Sequence, residues 1–256
     1  MTENKGFPTE FIDLPSKGWF YPENSPLTSG KVEMKYMSAH EEDILTSTSL
    51  LQKGLVIDAL MKSLLVDKTI SYDDFLLGDR NALILAARIL GYGKDYAVAI
   101  ECPECKKKAE KIVDLEKLPV KNGDFSPEHK GKNEFSLQLP ATKRIITFKL
   151  LTNGDDKSIN KEAEAIQKAT KSDILPLITT RMRASILTID GDATKGKINQ
   201  FIQEMPARDS RAFREYGTKM MPDIDMRVDF ACPYCSFSNL LEIPLDANFF
   251  WPRSEV

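Results

Sequence analysis

Histidine and cysteine are scarce in this chain of 256 residues. Its two histidines, His40 and His129, stand among polar residues, and neither has a nearby cysteine or carboxylate pattern that would suggest a catalytic dyad. Its four cysteines all fall in two short motifs. Any metal or thiol chemistry is therefore confined to a few positions.

The signatures of common enzymes are missing too. The sequence contains no phosphate-cradling GxxxxGK(S/T), no dinucleotide-binding GxGxxG, no HExxH and no GxSxG. The acidic pairs Asp73-Asp74 and Asp155-Asp156 are typical of helix starts or loops. We therefore expect a protein that is not an enzyme.

Long apolar runs and a strong charge of either sign are also absent. No run approaches the roughly 18 to 20 apolar residues that span a membrane, and the formal net charge is only −3. No pattern of basic, apolar and small residues typical of a secretory signal opens the sequence. These features predict a soluble cytosolic protein without a membrane partner and without a general attraction to nucleic acid.

The four cysteines form two Cys-Pro-x-Cys knuckles, at residues 102–105 and 232–235. Alternating apolar residues predict a strand on each side of each knuckle, at residues 96–101, 109–115, 227–231 and 240–245. Two such hairpins make a zinc ribbon, because Zn²⁺ prefers four thiolates in a tetrahedron and a two-residue spacer lets both sulfurs of a turn reach the ion. The sequence predicts a split zinc site with these ligands: Cys102, Cys105, Cys232 and Cys235.

The predicted zinc is structural, since four cysteines leave no open position for water or substrate. Closing a loop of this length costs about 4 to 5 kcal/mol, whereas apparent binding of a structural zinc is worth about 10 to 16 kcal/mol. Zinc can therefore join two distant segments of this chain.

Three other interpretations of the knuckles compete with zinc. Cys-Pro-Tyr-Cys is also the active-site sequence of glutaredoxins, but there the first cysteine begins a helix, whereas here a strand pattern and only 21 residues follow Cys235. Two disulfides would need an oxidising compartment. Four unliganded thiols would leave the repeated spacing unexplained.

Two basic features support an alternative function, that of a regulatory protein that binds nucleic acid through a zinc ribbon. Lys106-Lys107-Lys108 follows the first knuckle, and Arg208, Arg211 and Arg214 share a face of a predicted helix. Screening of a negative thiolate site and an ordinary solvated helix face explain them more simply. Nucleic acid is therefore not the expected partner.

The remaining patterns predict an α+β fold. A capping box at Ser38 and Glu41 begins a helix, residues 135–139 and 146–150 form a hairpin, and apolar spacing predicts helices over 159–166, 178–189 and 198–205 and from about residue 206. We divide the chain into an extended N-terminal arm (1–30), a helical N-terminal part (31–95), two halves of a zinc ribbon (96–118 and 226–248), a mixed hairpin and helical insertion (119–225) and an aromatic C-terminal tail (249–256).

Aromatic residues are concentrated at both ends. The arm contains Phe7, Phe11, Trp19, Phe20 and Tyr21, and the tail contains Phe249-Phe250-Trp251. Each end either packs on its own domain or docks on a neighbouring subunit, where aromatic anchors concentrate binding energy. For the same reason, the sequence does not decide whether the chain associates with copies of itself.

Several distinctive segments are spread over roughly residues 7–245, and they are residues 11–18 (FIDLPSKG), 37–47 (MSAHEEDILTS), 205–209 (MPARD) and 230–235 (FACPYC). They resemble the baseplate hub and hub-assembly protein family of T-even-type contractile-tail phages. This resemblance implies a late viral protein made in the host bacterial cytoplasm that helps to assemble the central hub of the baseplate. It also implies hub or tape-measure proteins as partners and no catalytic residues, and it leaves open whether the protein stays in the virion.

Overall fold

Helices and short antiparallel sheets alternate along the chain in the computed structural model, which describes residues 7–123, 125–243 and 247–250. The helices are α1 (Ala39–Thr46), α2 (Thr48–Gln52), α3 (Val56–Leu64), α4 (Leu77–Tyr92), α5 (Asn153–Thr170), α6 (Leu177–Ser185), α7 (Lys195–Glu204) and α8 (Ala207–Met220). The strands are β1 (Thr9–Asp13), β2 (Lys31–Lys35), β3 (Asp95–Glu101), β4 (Lys108–Asp114), β5 (Val120–Lys121), β6 (Phe135–Gln138), β7 (Ile145–Phe148), β8 (Ile186–Ile189), β9 (Asp223–Ile224), β10 (Arg227–Ala231) and β11 (Ser238–Glu242). The predicted α+β class is confirmed.

A large apolar core joins the N-terminal helices to the insertion. Leu60 and Leu64 of α3 and Leu83 and Ala87 of α4 are fully buried, because their spacing of four residues places them on one face of each helix. The predicted capping box begins α1, where the Glu41 carboxylate accepts a hydrogen bond from the Ser38 N–H at 2.9 Å.

The arm packs on this core through its second half. Phe20 and Tyr21 are buried, and the Tyr21 hydroxyl donates to the Asp79 carboxylate of α4 at 2.6 Å. Phe7 and Phe11 remain exposed, Phe11 on β1, which pairs with β2. The two halves of the arm therefore have different environments.

The insertion leaves and rejoins the rest of the fold at adjacent points, since β5 pairs with β9. The predicted hairpin is present as β6 and β7. The predicted helix over 178–189 is wrong beyond Ser185, because residues 186–189 form β8 against β7. The Ser185 hydroxyl donates to the Lys149 carbonyl at 2.6 Å and fixes the change from helix to strand. Ile186 and Ile189 are buried, and their spacing of three residues also fits one face of a helix, so this spacing alone does not reveal the strand.

The aromatic tail turns back onto the body. Phe249 and Phe250 are buried, and the Phe249 ring lies edge-on to Tyr96 with centroids 5.0 Å apart. The Arg88 Nε of α4 donates to the Phe249 carbonyl at 3.1 Å. These two residues are thus packed locally, while Trp251 and Pro252 lie outside the described residues.

Candidate metal centre

Each cysteine knuckle closes a hairpin of the same construction. β3 pairs with β4 and β10 with β11, and the last pairs before the knuckles are Glu101 with Lys108 and Ala231 with Ser238. Both loops therefore contain six residues, with the cysteines at the first and fourth positions. The predicted strands are present, although β11 ends at Glu242, and the last two residues of the predicted strand, 244 and 245, lie outside the described part of the chain.

Backbone hydrogen bonds hold the two turns in matching shapes. The Cys102 N–H donates to the Lys107 carbonyl and the Cys232 N–H donates to the Phe237 carbonyl, both at 2.9 Å. In the second knuckle the Tyr234 N–H also points to the Cys232 sulfur at 3.4 Å. The sulfurs are thus positioned by main-chain geometry, which the short Cys-x-x-Cys spacing dictates.

The structure brings all four predicted ligands together. Their sulfur atoms lie within 4.8 Å of one another. The sulfur of Cys102 lies 3.7 Å from that of Cys235, and the sulfur of Cys105 lies 3.7 Å from that of Cys232. The first cysteine of each knuckle therefore faces the second cysteine of the other. These distances exclude formed disulfides, whose sulfurs are about 2.05 Å apart.

The same distances fit a tetrahedral metal ion. Four thiolates about 2.3 Å from one zinc ion lie about 3.8 Å from each other. Among the residues that the structure describes, a group of three or more His, Cys, Asp or Glu side chains close enough to hold an ion occurs at these four cysteines. No histidine or carboxylate belongs to this group.

The cysteines lie in a small apolar cluster of their own. Cys102, Ala109, Phe230 and Cys232 are buried in it, and Phe237 packs against it. The strands β3 and β10 connect this cluster to the main core, because Tyr96 and Val98 of β3 and Val228 of β10 belong to the larger core. The packing of Ala109 and Phe237 around the cysteines could not be predicted from the sequence, because neither residue differs in character from what the neighbouring strand pattern allows.

Without a cation, the surroundings favour ionisation of one cysteine of the cluster and oppose ionisation of a second. Burial raises the pKa of Cys232, but the Tyr234 N–H and the neighbouring thiols outweigh it and lower that pKa to about 7. The Phe237 N–H lowers the pKa of Cys235, whereas burial and the other sulfurs raise it to about 12. A divalent cation would remove this opposition and allow all four sulfurs to ionise.

The lysine run beside the first knuckle contacts the second knuckle. The Lys107 ammonium lies 5.1 Å from the centre of the Tyr234 ring, an aromatic side chain that is 56% exposed. Of the α8 arginines, Arg211 pairs with Glu215 at 2.7 Å, whereas the Arg214 Nε donates to the Ser210 carbonyl.

The cysteine centre lies within a region that matches a known protein family. A family model described as T4 bacteriophage base plate protein matches residues 20–251, a span that includes both knuckles and the whole insertion. The chain belongs to this family. Searches of curated proteins and of solved structures gave no match.

Membership of the T4 base plate family confirms the resemblance seen in the sequence as that to a T4-type phage baseplate protein. It gives the chain a structural role in a phage tail and makes other baseplate proteins its expected partners. No helix in the described ranges has the length and apolar character needed to cross a membrane.

Proposed function

We propose that this protein is a non-enzymatic tail protein that acts in assembly of the central hub of the baseplate, as a hub subunit or as an assembly factor. The family match over residues 20–251 carries the proposal. The partners would be other hub proteins or a tape-measure protein, met in the host cytoplasm during assembly, and the protein would then either stay in the virion or leave.

The proposed role includes a structural zinc ion bound by Cys102, Cys105, Cys232 and Cys235. Sulfur separations of 3.7 Å support it, since they match the edge of a zinc–thiolate tetrahedron. A fully thiolate-bound zinc does no chemistry on a substrate and instead holds the two ribbon hairpins to each other. Metal analysis of protein purified without chelator should give one zinc per chain.

The exposed half of the arm is the surface we propose for docking on a hub partner. Phe7 and Phe11 are 52% and 67% exposed, while the following residues of the arm anchor it to α4. Large aromatic side chains held on an anchored strand lose little conformational freedom on binding. The same surface could join two copies of this chain.

Affinity capture from infected cells tests the proposed role. The tagged protein should recover hub or tape-measure proteins during assembly, and analysis of purified particles would then separate a subunit from an assembly factor. Phe11→Ser should reduce recovery, whereas Ile145→Ser, which changes a side chain 51% exposed on β7 of the insertion, should not. Failure to recover any tail protein in either sample would refute the assembly role.

A further inference from the structure

A cleft of about 530 Å³ opens between the N-terminal helices and the insertion. Its walls come from α4, α5, α6, α8, the segment 148–151 that begins with the last residue of β7, and the ends of the β5–β9 pair. This volume is typical of clefts that bind a ligand of several hundred daltons. Membership of the base plate family assigns nothing to it.

The inner wall of the cleft is apolar. Phe148, Met182 and Phe213 line it and are buried in the core beneath. Ile178 also lines the cleft and is 49% exposed, and two apolar residues shortly before it in the sequence, Ile174 and Leu175, do not line the cleft and are 75% and 38% exposed. A ligand that covered this surface would have to extend beyond the cleft itself.

The polar part of the lining is predominantly basic. The lining cations are Arg80, Lys121, Lys149, Arg181 and Arg214, and the lining carboxylates are Asp156 and Asp223. Asp156 is shared, because it pairs with both Arg80 and Arg181. Lys149 pairs with Asp155 just outside the cleft, at 2.8 Å. Even with that third carboxylate, cations outnumber anions around the cleft of a chain whose formal net charge is −3.

Three of these cations have a hydrogen-bond donor or a charge that their neighbours satisfy only in part. The Arg80 Nε is buried without a hydrogen-bond partner, and the contacts of its terminal nitrogens with Asp156, Asn153 and Asn81 are all long, at 3.4 Å. Within the part of the chain that the structure describes, Lys121 and Arg214 contact the backbone carbonyls of Thr218 and Ser210 and form no ion pair with a carboxylate. A carboxylate in the cleft would therefore find donors that are already desolvated or unpaired.

We propose that the cleft binds an acidic peptide segment of a partner protein, with an apolar side chain against Phe148 and Phe213 and a carboxylate facing Arg80 and Arg214. Charge complementarity favours the acid, and the apolar wall disfavours a bare inorganic anion, which has no apolar surface to bury. The exposed Ile174, Leu175 and Ile178 favour an extended peptide over a small molecule. This site is separate from the exposed aromatic half of the arm, and it does not depend on which tail protein is the partner.

Peptide selection on the full-length, zinc-loaded protein tests this site. We expect a random heptapeptide library to enrich peptides that combine Asp or Glu with a large apolar residue. A fluorescein-labelled peptide of that type should bind Arg214→Gln about threefold to tenfold more weakly than the unaltered protein, as for removal of one partly exposed charge contact. Arg211→Gln is the matched control, because it removes the same charge from the same helix at a position that does not line the cleft. Ile178→Asp should weaken binding as well.

Four results would overturn the proposal. These are the absence of any enriched peptide, enriched peptides without acidic residues, an equal effect of Arg211→Gln and Arg214→Gln, and complete displacement of the peptide by millimolar sodium phosphate at matched ionic strength. The last would leave a small-anion site only. Because these readouts use purified protein and synthetic peptides, they can fail while capture of hub proteins from infected cells succeeds, and the reverse.

Discussion

The main body and the cysteine centre are stabilised in different ways. The main body has a continuous apolar core in which side chains such as Leu60 and Leu83 are fully buried. The cysteine centre has four buried residues, of which two are cysteines. Apolar burial contributes about 25 cal/mol per Å², so the second cluster is too small to hold two hairpins together by burial alone. We therefore expect a metal ion bound by the four cysteines to supply the missing stability.

The largest expected effect comes from removing the metal ligands. Cys235→Ser should abolish zinc binding and lower the melting temperature by more than about 10 °C, since several kcal/mol are lost and each is worth about 2 to 4 °C in a chain of this size. Amide hydrogen exchange should accelerate first in β3, β4, β10 and β11, while α4 keeps its protection.

Cys235→His is the matched control for the loss of zinc. Histidine replaces one thiolate in many structural zinc sites, so this variant should retain the metal and most of the stability. If metal-free protein melted at the same temperature as the zinc-loaded protein, the cysteine cluster would not depend on a metal and the contrast between the two regions would disappear.

A cavity in the main core tests the other side of the comparison. Leu83→Ala removes a fully buried side chain of α4 and should lower the free energy of unfolding by about 2 to 5 kcal/mol in denaturant titration. The zinc content should stay at that of the unaltered protein, because Leu83 belongs to the main core and not to the cysteine cluster. Leu51→Ala changes a leucine that is 41% exposed on α2 and should have a much smaller effect. Release of zinc by Leu83→Ala under native conditions would mean that the two regions do not unfold separately.

The cysteine centre could be predicted from the sequence because its geometry is local. Two cysteines three positions apart in one turn, flanked by alternating residues such as Val228 and Phe230, determine most of the knuckle without distant information. The α+β class and the helix start at Ser38 follow from equally local patterns. The repeated spacing predicted that the two knuckles meet, and the structure places their four sulfurs within 4.8 Å of one another.

The main body was less predictable because its features depend on distant partners. β8 is a four-residue strand whose Ile186 and Ile189 fit a helix as well, and only pairing with β7 decides between them. The two-residue strands β5 and β9 are too short to carry a pattern. The cleft could not be foreseen, since its lining comes from separate elements between Leu77 and Asp223.

The acid response should also differ between the two regions. In the main body, burial raises the pKa of Glu41, but hydrogen bonds from Lys35, Ser38 and Ser63 outweigh it and lower that pKa from 4.5 to about 2. A carboxylate with a lowered pKa stabilises the fold fully above its unfolded pKa, and this contribution is lost as the pH falls from about 4.5 towards 2. Glu41→Gln should therefore cost about 1 to 3 kcal/mol at pH 7, and its difference from the unaltered protein should shrink in acid.

Hydrogen exchange of α1 is the measurement that isolates this effect, because acid would also protonate the thiolates of the proposed zinc site and loosen the cysteine centre at the same time. Glu42→Gln is the control, since Glu42 is exposed on the same helix. An α1 whose protection falls equally in Glu41→Gln and Glu42→Gln at pH 7 would show that the Glu41 hydrogen bonds add no stability of their own.

The smallest expected effect concerns the contact between the two knuckles. Lys107 lies over the Tyr234 ring only where both knuckles are held together, so this contact should strengthen zinc binding slightly. An exposed cation–π contact contributes about 0.5 to 1 kcal/mol, and Lys107→Met should therefore weaken zinc binding about twofold to fivefold in competition with a chelator. Lys108→Met removes an equal charge from the adjacent position and separates this contact from general screening of the thiolates. A double-mutant cycle with Tyr234→Leu should show coupling for Lys107 and none for Lys108, whereas equal effects of both lysines would assign the run to screening alone.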